Sequence, residues 1–164
     1  MLPQGTVYLD AISVDAFAQG PLRGNMCIVV ESGAMIFVVD DDLSVRKALK
    51  RLLSSAGFKV ETFGSAEELL TSGRQELPDV FVIDVRMPGL SGLDLQKALT
   101  ASGSRIPVIF ITAYRDDQAR ALAKEAGAVA FLHKPFDDRA LLEAVETGIT
   151  RKAFEPRDVD HSGQ

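Results

Sequence analysis

Phe81-Val-Ile-Asp-Val-Arg-Met-Pro-Gly-Leu-Ser-Gly92 is the stretch that decides the fold. It opens within an unbroken apolar run, Val80-Phe-Val-Ile83, the pattern of a strand buried on both faces. The run stops at a carboxylate, Asp84, and Pro88-Gly89 then turns the chain. An acid at the C-terminal end of a buried parallel strand stands at the rim where open α/β sheets place their chemistry. The plainer alternative is that Asp84 only caps a loop.

Composition sets the bounds. The chain has 164 residues, enough for one domain with a proper core and some spare length. Apolar residues make up 46% and charged residues 25%, as in a soluble globular protein. A net charge of −5, with no basic block, argues against nucleic-acid binding. The single cysteine, Cys27, cannot form an internal disulfide and suits a reducing cytosol. No apolar run approaches a membrane span and no signal-peptide pattern opens the chain, so a cytoplasmic protein is expected.

Around the central strand the chain alternates regularly. Residues 1–34 hold turn-formers at Gly20-Pro21 and Gly24-Asn25 and no sustained period. They read as a leader or added extension, or as a strand over Ile28 to Glu31 on a sheet edge. Met35-Ile-Phe-Val-Val39 reads as a buried strand ending in Asp40, Asp41 and Asp42. An amphipathic helix follows, with Val45, Ala48, Leu49, Leu52, Leu53 and Ala56 on one face and Gly57 closing it. Phe58 to Phe63 alternates like a strand nearer the edge, and Ser65-Ala-Glu-Glu68 has the form of a capping box. After the strand from Asp79 to Asp84, Ser91 to Thr100 reads as a helix and Pro107 to Ile111 as a strand ending at Thr112-Ala113. An alanine-rich helix spans Asp116 to Ala126, and a short strand, Val129 to Leu132, ends at His133-Lys134-Pro135. The last helix is expected over Asp137 to Thr150, with a frayed tail over 151–164. Strands alternating with helices demand a doubly wound α/β fold. The economical form is a five-stranded parallel sheet in order 2-1-3-4-5, over residues 35–150.

That topology sends every strand end to one rim. Strand one delivers Asp40 and Asp41, strand three Asp84, strand four Thr112 and strand five Lys134. Converging carboxylates repel one another unless a cation intervenes, and an all-oxygen donor set selects a hard ion such as Mg²⁺. A hydroxyl and an ammonium beside them are groups that hold the oxygens of a phosphoryl group in transfer. Each piece has a bland reading: Asp42 as a helix N-cap, Thr112 as a turn hydroxyl, Lys134 as a surface lysine. Four strand ends supplying compatible chemistry by accident is the harder account. The rim reads as built to put a phosphoryl group on a carboxylate.

Val39-Asp-Asp-Asp42, Asp84-Val-Arg-Met-Pro-Gly89, Ile111-Thr-Ala113 and His133-Lys-Pro-Phe136 together resemble the receiver domains of two-component response regulators. Ser65-Ala-Glu-Glu-Leu69 and the stretch from Asp84 to Gly92 look most like the branch typified by nitrogen-fixation transcriptional regulators. The resemblance implies that Asp84 is the phosphoacceptor, taking its group from a sensor histidine kinase's phosphohistidine. It implies Mg²⁺, with Mn²⁺ as a substitute, held by Asp41, Asp84 and the Arg86 carbonyl, with Asp40 acting through water. Lys134 and Thr112 would hold the phosphoryl oxygens, joined by backbone at Val85, Arg86 and Ala113. Phe131 matches the rotating aromatic switch, and Lys134–Pro135 would be cis. Arg86 and Tyr114 match positions that tune autodephosphorylation, their bulk hindering the hydrolytic water. Such a domain catalyses its own phosphorylation and slow dephosphorylation and is no conventional turnover enzyme. His133 reads as a structural side chain rather than a phosphohistidine.

The resemblance also implies a docking or phosphorylation-dependent dimer face over the fourth helix, fifth strand and fifth helix, and charge and hydropathy argue against direct nucleic-acid or membrane contact. The 151–164 tail is too short for a helix-turn-helix domain. The expectation is therefore a single-domain regulator, or a receiver excised from a DNA-binding regulator or hybrid kinase. A degenerate interaction module is disfavoured by the full acceptor set. A haloacid-dehalogenase-type phosphatase wants an acid where Arg86 stands, and a flavodoxin-like cofactor binder wants a glycine loop where Asp40 to Asp42 stand.

Overall fold

A computed structural model describes residues 33–154. The 1–32 part of the expected extension, including the Ile28 to Glu31 strand, lies outside the described residues, as does the tail from 155 on. The chain alternates strand and helix throughout: β1 Met35–Val39, α1 Leu43–Ser55, β2 Lys59–Phe63, α2 Ala66–Thr71, β3 Val80–Asp84, α3 Gly92–Ala101, β4 Val108–Thr112, α4 Asp117–Glu125, β5 Ala130–His133 and α5 Asp138–Phe154. All pairings are parallel and the sheet order is β2-β1-β3-β4-β5, as expected from the sequence.

Because side chains alternate across a strand, each central strand feeds two cores. Phe37, Val39, Phe81, Ile83, Val108 and Phe110 face α2, α3 and α4, meeting Leu69, Leu95 and Ala123. Ile36, Val38, Val80, Val82, Ile109 and Ile111 face α1 and α5, meeting Leu49, Leu53, Leu141 and Val145. Every residue of β3 and of β4 is buried, which is why both strands read as unbroken apolar runs. Burial on two faces also leaves no register slip that keeps these side chains out of water.

Two local expectations need correcting. Ser65 does cap α2, its hydroxyl accepting the Glu68 amide at 3.0 Å, yet Glu68 reaches one residue further back and accepts from Gly64 at 2.6 Å. The reciprocal box forms instead at Ser91 and Asp94, at the start of α3. The second correction concerns α5, which continues to Phe154 rather than ending at Thr150. Lys152 anchors the extra turn, its Nζ donating to the Pro78 carbonyl at 3.2 Å and to Asp79 Oδ1 at 3.0 Å. Asp79 Oδ2 in turn accepts the Met35 amide at 2.8 Å, so one carboxylate ties the end of α5 to the start of β1.

Gly92 fixes how closely α3 approaches the acidic end of β3. Its amide donates to the Val85 carbonyl at 2.8 Å, and a Cβ there would meet the Asp84 carbonyl oxygen and Ile83 Cγ2. Only glycine fits without moving backbone. Gly92→Ala is expected to lower stability by about 1–3 kcal/mol through overpacking, read as a reduced urea midpoint at unchanged slope. A wild-type midpoint would show that α3 has slack here.

Candidate functional site

The loops leaving β1, β3, β4 and β5 share one rim, and each contributes a polar side chain. Asp40 follows β1 with 0% exposure. Its Oδ1 accepts the Asp42 amide at 2.9 Å, its Oδ2 accepts Lys134 Nζ at 2.7 Å, and its carbonyl accepts an Arg46 guanidinium N–H at 2.6 Å. Asp42 points away and caps α1 through the Ser44 and Val45 amides, the role its position predicts. Asp41 lies exposed between them.

Asp84 closes β3 and is 6% exposed. Its Oδ1 accepts the Arg86 amide at 3.4 Å, and its Oδ2 lies 3.8 Å from Lys134 Nζ, an ion pair rather than a hydrogen bond. Burial, and next to it the charge of Asp40, push the Asp84 carboxyl up to about 7 against the pull of Lys134. Lys134 is placed by its backbone amide, which donates to the Thr112 carbonyl at 2.7 Å, and the Lys134–Pro135 bond is cis.

Carboxylate oxygens of Asp40, Asp41 and Asp84 all lie within 4.8 Å of one another. Crowded acids with only oxygen to offer fit a hard divalent cation and no soft one. The donor set passes that test: burial first, and then the Asp40 charge, raise the Asp84 carboxyl further than Lys134 and the Arg86 amide lower it.

Other expected site residues are placed less simply. Thr112 is fully buried at the end of β4, and its hydroxyl turns into its own loop, accepting the Tyr114 amide at 3.1 Å and donating to the Tyr114 carbonyl at 3.4 Å. Val85 does not offer a free amide to the site: it donates to the Ile111 carbonyl at 2.9 Å, because β3–β4 pairing runs one residue past Asp84. That expectation is corrected; among its neighbours, the Arg86 amide turns to the Asp84 carboxylate and Ala113 is exposed just beyond β4. Phe131 on β5 is partly buried, 6.4 Å from Phe110 by ring centroid, with the Arg120 guanidinium 5.3 Å over its outer face. His133 is exposed at the strand end.

Sequence reasoning passed over three partners. Arg86 donates to Asp116 Oδ2 at 2.9 Å and lies 4.8 Å above the Tyr114 ring, joining the loop after β3 to the start of α4. Asp116 is held below the usual carboxylate range, first by the Ala119 amide and then by Arg86. Glu67 on α2 accepts the Leu90 amide at 2.9 Å, steadying the Pro88–Leu90 turn, and that amide lowers its carboxyl. Asp116 carried an N-cap signal; nothing local in sequence announced Arg46 or Glu67.

These features have relatives. A family model described as the response regulator receiver domain matches residues 36–146. Nodulation protein W of Bradyrhizobium diazoefficiens is 47% identical over 118 residues, covering 72% of this chain and 52% of that protein. Transcriptional regulatory protein FixJ of Azorhizobium caulinodans is 42% identical over 125 residues, covering 76% and 59%. The chain thus spans about half the length of the curated relatives it matches. The solved structure of the response regulator StyR superposes with a TM-score of 0.68 at 49% identity, covering 75% of this chain and 62% of that one. The matched span takes in the whole sheet order and each strand-end residue from Asp40 to Lys134, and on that ground the chain belongs to the response regulator receiver domain family.

Proposed function

We propose that this receiver takes a phosphoryl group from the phosphohistidine of a sensor histidine kinase onto Asp84. The observation that carries the reading is the convergence of Asp40, Asp41 and Asp84 oxygens within 4.8 Å, with Lys134 Nζ 2.7 Å from Asp40 and 3.8 Å from Asp84. An Asp84 oxygen attacks phosphorus in line, the P–N bond breaks, and its electron pair leaves with the imidazole. Charge spreads over the three equatorial phosphoryl oxygens, and Lys134 is the ammonium placed to meet it. Thr112 contributes by turning its hydroxyl from the Tyr114 backbone toward the new group.

Asp40, Asp41 and Asp84 are the residues that would hold Mg²⁺, or Mn²⁺ in its place. When bound, such an ion neutralises carboxylate and phosphoryl charge that Lys134 alone does not balance. Arg86 and Tyr114 tune the lifetime of the product. The setting is a cytoplasmic phosphorelay; among the described residues no helix is long and apolar enough to cross a membrane.

The output face is α4, β5 and α5. Only Ala119 and Ala123 of α4 are buried and Leu122 is 42% exposed, while Tyr114, 56% exposed, lines a recess of about 400 Å³ with Asp116, Arg120, Phe131 and His133. A thinly packed helix next to a partly buried aromatic is a surface able to change shape for a partner or a second copy.

Incubation with acetyl phosphate and Mg²⁺ should give an acid-stable, base-labile adduct of one phosphoryl per chain, lost in Asp84→Asn and in chelator. An adduct that persists in Asp84→Asn places the chemistry elsewhere. The burial of Asp84, with the Asp40 charge beside it, predicts a pH signature as well. With its folded-state value raised from 3.8 to about 7, Asp84 holds its proton in the folded protein where the unfolded chain has lost it. Stability in chelator therefore falls as pH rises from about 4 to 7, and Asp84→Asn removes the fall. Its thermal midpoint should exceed the wild type by roughly 5 °C at pH 8 and by far less at pH 5; equal gaps at both would show that Asp84 is not raised. Finally, beryllofluoride should shift gel-filtration elution, and Leu122→Arg should abolish the shift while leaving acetyl-phosphate labelling intact. Elution that ignores the mimic removes α4 as the output face.

A further inference from the structure

One carboxylate at the edge of the site serves two partners. Asp116 Oδ1 accepts the Ala119 amide at 2.9 Å and so caps α4, while its Oδ2 takes the Arg86 guanidinium at 2.9 Å. Arg86 lies two residues past Asp84, and its guanidinium stacks at 4.8 Å on the ring of Tyr114, two residues past Thr112. A planar cation stacked on one face and engaged at its edge by a carboxylate has its orientation set by both contacts. Tyr114, Arg86 and Asp116 thus form a bridge between the loops after β3 and β4, solvent-exposed outside the buried Asp84.

An arginine without such an anchor samples many rotamers and spends little time in any one place. Bulk at position 86 therefore obstructs water only to the extent that something holds it still. We infer that Asp116 is a positioning residue for the phosphorylated state, keeping Arg86 across the approach of water to the Asp84 acyl phosphate and so lengthening its life. The inference rests on Asp84 being the acceptor. In the step it slows, water oxygen attacks phosphorus, the bond from phosphorus to the Asp84 oxygen breaks, and the electron pair returns to the carboxylate. The phosphate released carries both protons of the water.

The effect has a bounded size. The pair is open to solvent, with side-chain exposures of 54% for Arg86 and 24% for Asp116. Exposed pairs of this kind bias a population by a factor of about 1.5 to 5. Because the same carboxylate caps α4, a partner that shifts the first turn of that helix also shifts Arg86, and linkage makes the coupling reciprocal.

Asparagine caps a helix about as well as aspartate but carries no charge, so Asp116→Asn separates the two duties. The chain is labelled with acetyl phosphate, the donor is removed, and the adduct is followed as it decays. Asp116→Asn should decay about two- to fivefold faster than wild type, with a thermal midpoint close to wild type. Arg86→Ala should also decay faster, and Asp116→Asn combined with Arg86→Ala should decay no faster than Arg86→Ala alone. High salt should bring wild type toward Asp116→Asn and leave Arg86→Ala unmoved, a dependence that helix capping does not produce. Decay of Asp116→Asn at the wild-type rate, or factors that multiply in the double variant, would overturn the inference. A wild-type chain that takes no label at all would overturn the acceptor reading and this inference with it.

Discussion

The buried carboxylate of Asp40 constrains everything around it. With 0% exposure it has no water to stabilise its charge, and an uncompensated ion in such a place costs several kcal/mol. Compensation comes from Lys134, which follows β5, a strand separated from β1 by β3 and β4. The ion pair therefore spans most of the sheet's functional edge. Lys134 holds that reach because its backbone amide is fixed to the Thr112 carbonyl, and Asp40 holds its aim because the Asp42 amide and Arg46 engage its other polar atoms. Asp84 lies beside the pair, close enough to Lys134 to feel its charge at 3.8 Å and too far for a hydrogen bond. The Asp84 carboxylate is left with less compensation than Asp40, which suits the acceptor role proposed for it.

The sheet was legible because it obeys simple periodicities. Fully buried parallel strands read as unbroken apolar runs, and right-handed crossovers leave one economical order, so the placement of Asp40, Asp41, Asp84, Thr112 and Lys134 on one rim followed before any coordinate. Orientation did not follow. Thr112 turns to the Tyr114 backbone, and Val85 spends its amide on Ile111, because those choices depend on how far strand pairing and loop turns extend. Helix α5 outran its expected end for a similar reason. Its last turn leans on Pro78 and Asp79, more than seventy residues upstream, and no local cap announces such a contact. The bridge from Arg86 to Asp116 crosses thirty residues and was equally invisible.

Packing around the sheet is unequal, and that inequality bears on which element is free to move. Helix α1 buries Leu49 and Leu53, and α5 buries Leu141 and Val145, side chains worth about 1.5–3 kcal/mol each in lost water contact. Helix α4 buries only Ala119 and Ala123, each a single methyl and worth a fraction of that. Two further ties on α4 are polar and half open: Asp116 on Arg86 at one end of its first turn, and Arg120 over Phe131 four residues on. Allosteric couplings are about 1–3 kcal/mol, more than enough to rearrange ties of this strength and too little to uproot α1 or α5. On the proposed function, a phosphoryl group that drew Thr112 from the Tyr114 backbone would disturb the loop leading directly into α4, where both arginine ties lie. Helix α4 is thus held more lightly than α1 or α5 and lies next to Thr112 and Arg86, which is what favours the face around α4 as the output under the proposed function.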